Sequence, residues 1–119
     1  MALQSYKNLL IWQRSFQLTL EIYKITAKYP RAELYGLVSQ TRRCAVGIPA
    51  NIAEGFARRY RKEFVQFLFI ALGSGAELET HLLIAEKLGY VTGTEAGNVL
   101  KELDEIMRMI NSLSRKLKG

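Results

Sequence analysis

The stretch Arg42–Lys62, RRCAVGIPANIAEGFARRYRK, places six basic residues and one acid, Glu54, around an apolar centre. The spacing of its apolar residues predicts a helix, which Gly47 and Pro49 interrupt. A proline inside a helix removes one hydrogen bond and clashes with the carbonyl four residues earlier. We therefore predict a kink near Pro49, with the helix continuing through Asn51, and we assign structural roles to both residues.

Working outward from this stretch, four segments show helical spacing of apolar residues, and none shows strand alternation. They cover residues 7–28, 33–55, 62–88 and 92 or 94 to the end. Pro30 ends the first helix, Gly55 and Gly89 suit the ends of the second and third, and Thr92 and Glu95 have the spacing of a capping box. Because short connections place successive helices side by side and antiparallel, the sequence predicts an all-α, up-and-down antiparallel four-helix bundle, with residues 1–119 as a single domain.

Two helices carry more apolar surface than one bundle can bury. Helix one has a stripe from Leu9 through Trp12 and Phe16 to Tyr23, which we assign to the core, and a second row nearly opposite. Helix three is apolar all around its first turns. A helix that is apolar on every side has to be covered on every side, whereas scattered surface hydrophobics need no cover. We predict a homo-oligomer interface formed by Ile11, Leu18, Ile22, Ile25, Phe67, Phe69 and Ile70.

The net charge of +6 and the pI near 9.6 predict a surface that attracts RNA, DNA or an acidic protein. In an antiparallel bundle, the start of helix one, the turn between helices two and three, and the end of helix four share one end. We predict nucleic-acid phosphate contacts there from Lys7, Arg58, Arg59, Arg61, Lys62, Arg115, Lys116 and Lys118. Phe56 and Tyr60 lie among these residues, and we expect them to plug the bundle end rather than stack on bases.

The remaining polar residues predict structure rather than chemistry. Arg42 falls level with Glu79 on helix three, which predicts a partly buried ion pair. His81 has no second histidine, and Cys44 is expected to be a small packed residue, so we predict no metal, no cofactor and no enzymatic activity. The longest apolar run, Phe64 to Ala76, is too short to cross a membrane, and the N-terminus lacks a signal-peptide layout. We therefore expect no membrane association and a cytoplasmic location.

Motifs along nearly the whole chain resemble one family. They include Leu10–Trp12, Tyr35–Leu37, Arg42–Arg43, Ile48–Pro49, Asn51–Gly55, Glu63–Phe64, Gly73–Ser74, Glu77–Thr80 and Leu88–Tyr90. The chain resembles the four-helix-bundle proteins encoded in intervening sequences of bacterial 23S ribosomal RNA genes, which are related to the accessory protein of diversity-generating retroelements. The resemblance implies no established enzymatic activity and a ring-shaped homopentamer.

The resemblance leaves two functional classes open. Its retroelement relatives bind nucleic acid and a reverse transcriptase, which implies a homo-oligomeric accessory protein that binds RNA or DNA. The alternative is a protein-interaction scaffold whose basic end docks an acidic partner such as a polymerase or ribosomal component.

Overall fold

Four long helices make up most of residues 5–119, the part of the chain described by the computed structural model. Helix α1 is Leu10–Thr26, α2 is Ser39–Phe56, α3 is Arg61–Lys87 and α4 is Gly93–Lys118. A 3₁₀ turn, Tyr6–Asn8, precedes α1, and the link to α2 contains a 3₁₀ turn at Arg31–Glu33 and a π-helical turn at Leu34–Val38. Each helix packs against two neighbours in a body of 44 × 23 × 22 Å. The predicted all-α four-helix bundle is confirmed.

The helix ends follow the local sequence signals. Thr92 accepts a hydrogen bond from the amide of Glu95, and the Glu95 side chain accepts one from the amide of Thr92, so the predicted capping box is present. Gly89 follows α3 with a φ of +79°, and the amide of Tyr90 bonds back to the carbonyl of Ala85. A residue with a side chain is strained in this left-handed conformation, which is why glycine ends the helix here.

The core seams of α2, α3 and α4 repeat at intervals of three and four residues, as the helical spacing of the sequence predicts. Each of these helices buries one row of residues. The rows are Val38, Ala45, Ile48 and Ile52 of α2 and the turn before it, Leu68 to Ala85 of α3, and Val99 to Ile110 of α4. Leu34 is the clearest exception, because it precedes α2 and is 44% exposed. The fully buried isoleucines and leucines supply most of the apolar area that stabilises the fold.

The two stripes of α1 differ from their predicted roles, although Leu9 and Trp12 of the stripe assigned to the core do pack against it. Ile11, Leu18, Ile22 and Ile25 lie in the core, with Ile22 fully buried, so their assignment to an outer oligomer interface is wrong. The stripe assigned to the core includes Phe16, Leu20 and Tyr23, which are 41–44% exposed. The aliphatic stripe is interleaved with small residues that bury easily: the hydroxyls of Ser15, Thr19 and Thr26 bond to carbonyls of the preceding turn.

Helix α2 runs through Pro49 as one element, and the kink predicted there is not confirmed. Pro49 lacks the amide hydrogen that would bond to the carbonyl of Ala45. The hydroxyl of Thr19 on α1 donates to that carbonyl at 3.1 Å instead, and the Asn51 side chain donates to the carbonyl of Gly47 at 2.7 Å. The irregular backbone lies earlier, at Gly36, with φ −112° and ψ −108°.

Arg42 interacts with α1 and not with α3, so the predicted Arg42–Glu79 pair is wrong. Its guanidinium donates to the Thr26 hydroxyl at 2.9 Å and to the carbonyl of Tyr23 at 3.3 Å, and it lies 4.5 Å from the centre of the Tyr23 ring. Glu79 is exposed. The physical reason is helix rotation: Arg42 is level with both neighbouring helices, but its side of α2 faces α1.

Helix α3 carries an apolar outer surface as well as a core seam. Ile70, Leu83 and Ile84 are 44–50% exposed on it. Within residues 5–119 it is the one helix that is long and apolar enough to cross a membrane, with a mean hydropathy of 1.4 in its most apolar window. The core helix of a bundle meets the same criterion, and seven α3 residues line the core, so length and composition do not assign α3 to a membrane.

Candidate nucleic-acid interface

Three parts of the chain meet at one end of the bundle, which we call the basic end. Leu9, Leu10 and Ile11 at the start of α1 line a surface depression together with Lys116 near the end of α4. Arg61 at the start of α3 lies beside the end of α4 in a second depression. The turn of residues 57–60 joins α2 to α3 at this same end.

All eight cations predicted to contact nucleic acid are exposed. Lys7 lies in the 3₁₀ turn before α1, Arg58 and Arg59 lie in the α2–α3 turn, and the others occupy the first turn of α3 and the last turn of α4. Of the ion pairs formed within residues 5–119, one involves this set: Arg58 bonds to Glu54 at 2.8 Å. The other seven form no ion pair within residues 5–119; they are Lys7, Arg59, Arg61, Lys62, Arg115, Lys116 and Lys118.

Of the nine cations elsewhere in residues 5–119, four form ion pairs, namely Arg14, Lys24, Lys28 and Arg108, compared with one of the eight at the basic end. At the opposite end, Lys28 bonds to Glu95 at 2.7 Å, and this contact lowers the pKa of the Glu95 carboxyl. Arg14, in the second turn of α1, binds both Glu102 and Glu105 of α4, which raises the pKa of its guanidinium. The positive potential is therefore concentrated at the basic end rather than spread evenly.

The two aromatic residues of the α2–α3 turn have different environments. Phe56 packs edge-on against Phe64 with ring centres 5.9 Å apart, so it plugs the bundle end as predicted. Tyr60 is 60% exposed, and the expectation that it plugs the end is wrong. Tyr60 has an extended backbone and is the N-cap of α3, which begins at the next residue, Arg61. Tyr60 thus presents an aromatic side chain among the unpaired cations.

A groove between the start of α3 and the end of α4, here called the α3–α4 groove, combines charge with apolar surface. It is lined by Arg61, Lys62, Val65, Gln66, Phe69, Leu117 and Lys118. The ammonium of Lys118 lies 4.8 Å from the centre of the Phe69 ring. Sequence reasoning placed Phe69 in an oligomer interface and missed this grouping. The signal was available, because Lys62, Gln66 and Phe69 have the spacing of one helix face.

The other predicted interface residues of α3 divide between two environments. Phe67 is half-buried, and the Arg58 guanidinium lies 4.8 Å from the centre of its ring. Ile70 is 50% exposed. The structure contains one copy of the chain, so the assignment of Phe67, Phe69 and Ile70 to an interface between copies stays a prediction.

Cys44 is a nucleophilic side chain whose polar neighbours resemble those of a reactive site. Its sulfur lies 3.7 Å from Nδ1 of His81 and 3.9 Å from a carboxylate oxygen of Glu77. Burial and the nearby Glu77 charge raise the pKa of the thiol, which disfavours the nucleophilic thiolate. In the described part of the chain, no group of three or more metal-binding side chains is arranged to hold a metal ion. Cys44 is buried as expected for a packing residue.

Comparisons with known proteins identify relatives of unknown function. The family model described as 23S rRNA-intervening sequence protein matches residues 7–112. A crystal structure of a protein of unknown function from the S23 ribosomal protein family of Bacteroides thetaiotaomicron VPI-5482 superposes with a TM-score of 0.80. The two chains are 23% identical over 88% of this chain and 98% of that one, a likeness that shows the fold. No curated protein matches this sequence.

Proposed function

Because the chain belongs to the 23S rRNA-intervening sequence protein family, we propose that it is a non-enzymatic accessory protein that binds RNA or DNA through its basic end. The observation that carries this proposal is the uneven pairing of its cations. Within residues 5–119, four of the nine cations elsewhere have carboxylate partners, whereas seven of the eight exposed cations at the basic end lack them. Unpaired surface cations are free to exchange small counterions for phosphates.

Phosphate contacts are the mode of binding that this surface supports. The cations lie on helix ends and a turn, and each of the four helices in residues 5–119 packs along two neighbours instead of projecting as a major-groove recognition helix does. Phosphate contacts position a protein on nucleic acid without reading its sequence. We therefore expect the affinity for nucleic acid to depend strongly on salt concentration and little on base sequence. We also propose a cytoplasmic location, where RNA is accessible to the protein.

We also propose that the protein is a homo-oligomer, with a pentamer as the family resemblance implies. The supporting surface is the half-exposed row of Phe16, Leu20 and Tyr23 on α1, continued by Val46 of α2, which is 41% exposed. Rows of this kind are rarely left in water by a monomer. In a closed ring, every copy would present its basic end on the same rim, which multiplies the positive potential.

A matched pair of charge reversals tests the nucleic-acid proposal. The first variant changes Arg58, Arg59, Arg61 and Lys62 to Glu, and the second changes Lys24, Lys28, Arg31 and Lys87, four cations away from the basic end, to Glu. Both alter net charge equally. The first should abolish binding to labelled RNA at low salt and the second should weaken it far less, while circular dichroism and light scattering verify helicity and oligomer mass. Equal losses from the two variants would contradict the proposal.

The alternative is a protein-interaction scaffold whose basic end docks an acidic partner, and for this class of function we propose a second surface as well. The surface that favours it lies away from the basic end, where Tyr35 is 93% exposed and lines a shallow depression with Tyr23, Arg42 and Arg43. Tyrosine and arginine are enriched in protein interfaces. Protein purified at low salt separates the two functions: co-purifying nucleic acid that high salt removes supports RNA or DNA binding, and clean protein supports the scaffold.

A further inference from the structure

The α3–α4 groove brings three exposed cations, which form its rim, together with an apolar floor that includes an aromatic ring. Arg61, Lys62 and Lys118 stand on the rim, and Phe69 and Leu117 form part of the floor. None of the three cations takes part in an ion pair within the described chain. A ligand that offered only phosphates would contact the cations and leave the apolar floor exposed to water.

We propose that the α3–α4 groove takes one unpaired base of single-stranded RNA or DNA, stacked on the Phe69 ring, with the flanking phosphates on Arg61 and Lys62. The Phe69 side chain is 44% exposed, and the ammonium of Lys118 lies over its ring. A lysine over an exposed ring is held weakly, and it is free to move onto a phosphate when a base occupies the ring. This inference rests on the proposed binding of nucleic acid by the basic end.

The chemistry of the groove selects an unpaired nucleotide over a duplex. A duplex keeps its bases stacked on one another and offers phosphates to the rim, so the floor would remain in water. An unpaired nucleotide offers phosphates together with the flat apolar face of a base, and both features have partners here. Gln66, whose amide both donates and accepts hydrogen bonds, lies in the same groove and suits the polar edge of any base.

The Phe69→Ala variant removes the stacking surface and leaves every cation in place. Its matched control is Ile70→Ala, since Ile70 is similarly exposed on the next position of α3 but does not line the groove. Each protein is titrated by fluorescence anisotropy against an oligouridylate of about 12 nucleotides and against an RNA duplex of the same length. Inorganic polyphosphate serves as a third probe that carries charge without bases. Circular dichroism and light scattering verify that folding and oligomer mass are unchanged.

The proposal expects Phe69→Ala to weaken oligouridylate binding by about fivefold or more, the lower range of base–aromatic stacking. Binding of the duplex and of polyphosphate should be unchanged, and Ile70→Ala should leave all three probes unaffected. Equal losses for duplex and single strand, no loss for either, or a fall in oligomer mass would overturn the groove assignment while leaving phosphate binding intact. Failure of the wild-type protein to bind any probe at low salt would overturn the proposed function and this inference together.

A direct readout complements the affinities. Phe69→Trp places an indole in the groove, and stacking of a base on it should quench its fluorescence on addition of oligouridylate. Trp12, the one native tryptophan, packs on α1 between Tyr6 and Phe16 and contributes a constant background. Quenching by polyphosphate as strong as that by oligouridylate would contradict base stacking.

Discussion

Thr19 should contribute to the stability of the fold because of Pro49. The proline leaves the carbonyl of Ala45 without its helical donor, and the Thr19 hydroxyl, on a residue only 9% exposed, donates to that carbonyl at 3.1 Å. The perturbation is a double-mutant cycle of Thr19→Val and Pro49→Ala. Valine keeps the branched shape and removes the donor, and alanine restores the backbone N–H.

The structure sets the expected magnitudes. A buried carbonyl left without a donor costs about 1–3 kcal/mol. The Thr19 hydroxyl also bonds to the carbonyl of Ser15 at 2.8 Å, so its single proton is shared between two acceptors. We therefore expect Thr19→Val to cost about 1–2 kcal/mol in the wild-type background, the lower part of that range. With Pro49→Ala present the cost should fall below about 0.5 kcal/mol, a coupling of about 1 kcal/mol.

Urea unfolding of the four proteins, at one protein concentration, gives the coupling free energy directly. Thr26→Val is the control, because Thr26 is another buried α1 threonine but bonds to the carbonyl of Ile22 and to Arg42 instead of Ala45. Its cost should be the same with and without Pro49. If Thr19→Val also costs the same in both backgrounds, Thr19 does not compensate for the proline and the reasoning fails.

Three further predictions concern the fold. Ile22→Ala should lower the free energy of unfolding by about 2–5 kcal/mol, because Ile22 is fully buried in the monomer. An unchanged urea unfolding curve together with a smaller oligomer mass would instead show that Ile22 lies in an interface between copies. Gly55→Ala should lower the melting temperature despite better helix propensity, because an added Cβ would lie 2.6 Å from Cβ of Phe67; a higher temperature would refute this close approach. Lys28 and Thr92 lower the pKa of the Glu95 carboxyl from its ordinary 4.5. The ionised carboxylate therefore stabilises the fold fully above pH 4.5, and this contribution is lost as the pH falls through the lower pKa of the folded state. Glu95→Gln should flatten the acid side of the stability profile, and identical profiles would contradict the pairing.

Periodicity predicted α2, α3 and α4 well because each has one dominant buried seam. In α4, for example, Val99, Leu103, Ile106 and Ile110 are buried, as the repeat of threes and fours indicates. Helix α1 has two apolar stripes, and spacing alone does not rank them. The small hydroxyl residues Ser15 and Thr19 between the aliphatic residues were the available signal, since they permit close packing against α2.

Contacts of long side chains were harder to predict than the helices that carry them. Arg42 was assigned to the wrong neighbouring helix, because apolar spacing does not fix the rotation that decides whether a side chain at the edge of the α2 seam faces α1 or α3. The pairing of Lys118 with Phe69 depends on the relative heights of two helices distant in sequence. In contrast, the location of the basic end followed from helix order alone, because antiparallel connections fix which ends meet.

The central claim, that the basic end binds nucleic acid through phosphates, is tested most directly by the salt dependence of single-stranded RNA binding. The logarithm of the association constant should fall linearly with the logarithm of salt concentration, with a slope of about −0.7 for each phosphate neutralised. Lys62→Ala should weaken binding and make the slope shallower by about 0.7, whereas Lys24→Ala should leave both unchanged. Affinity that does not vary with salt, or equal changes from the two substitutions, would contradict the account.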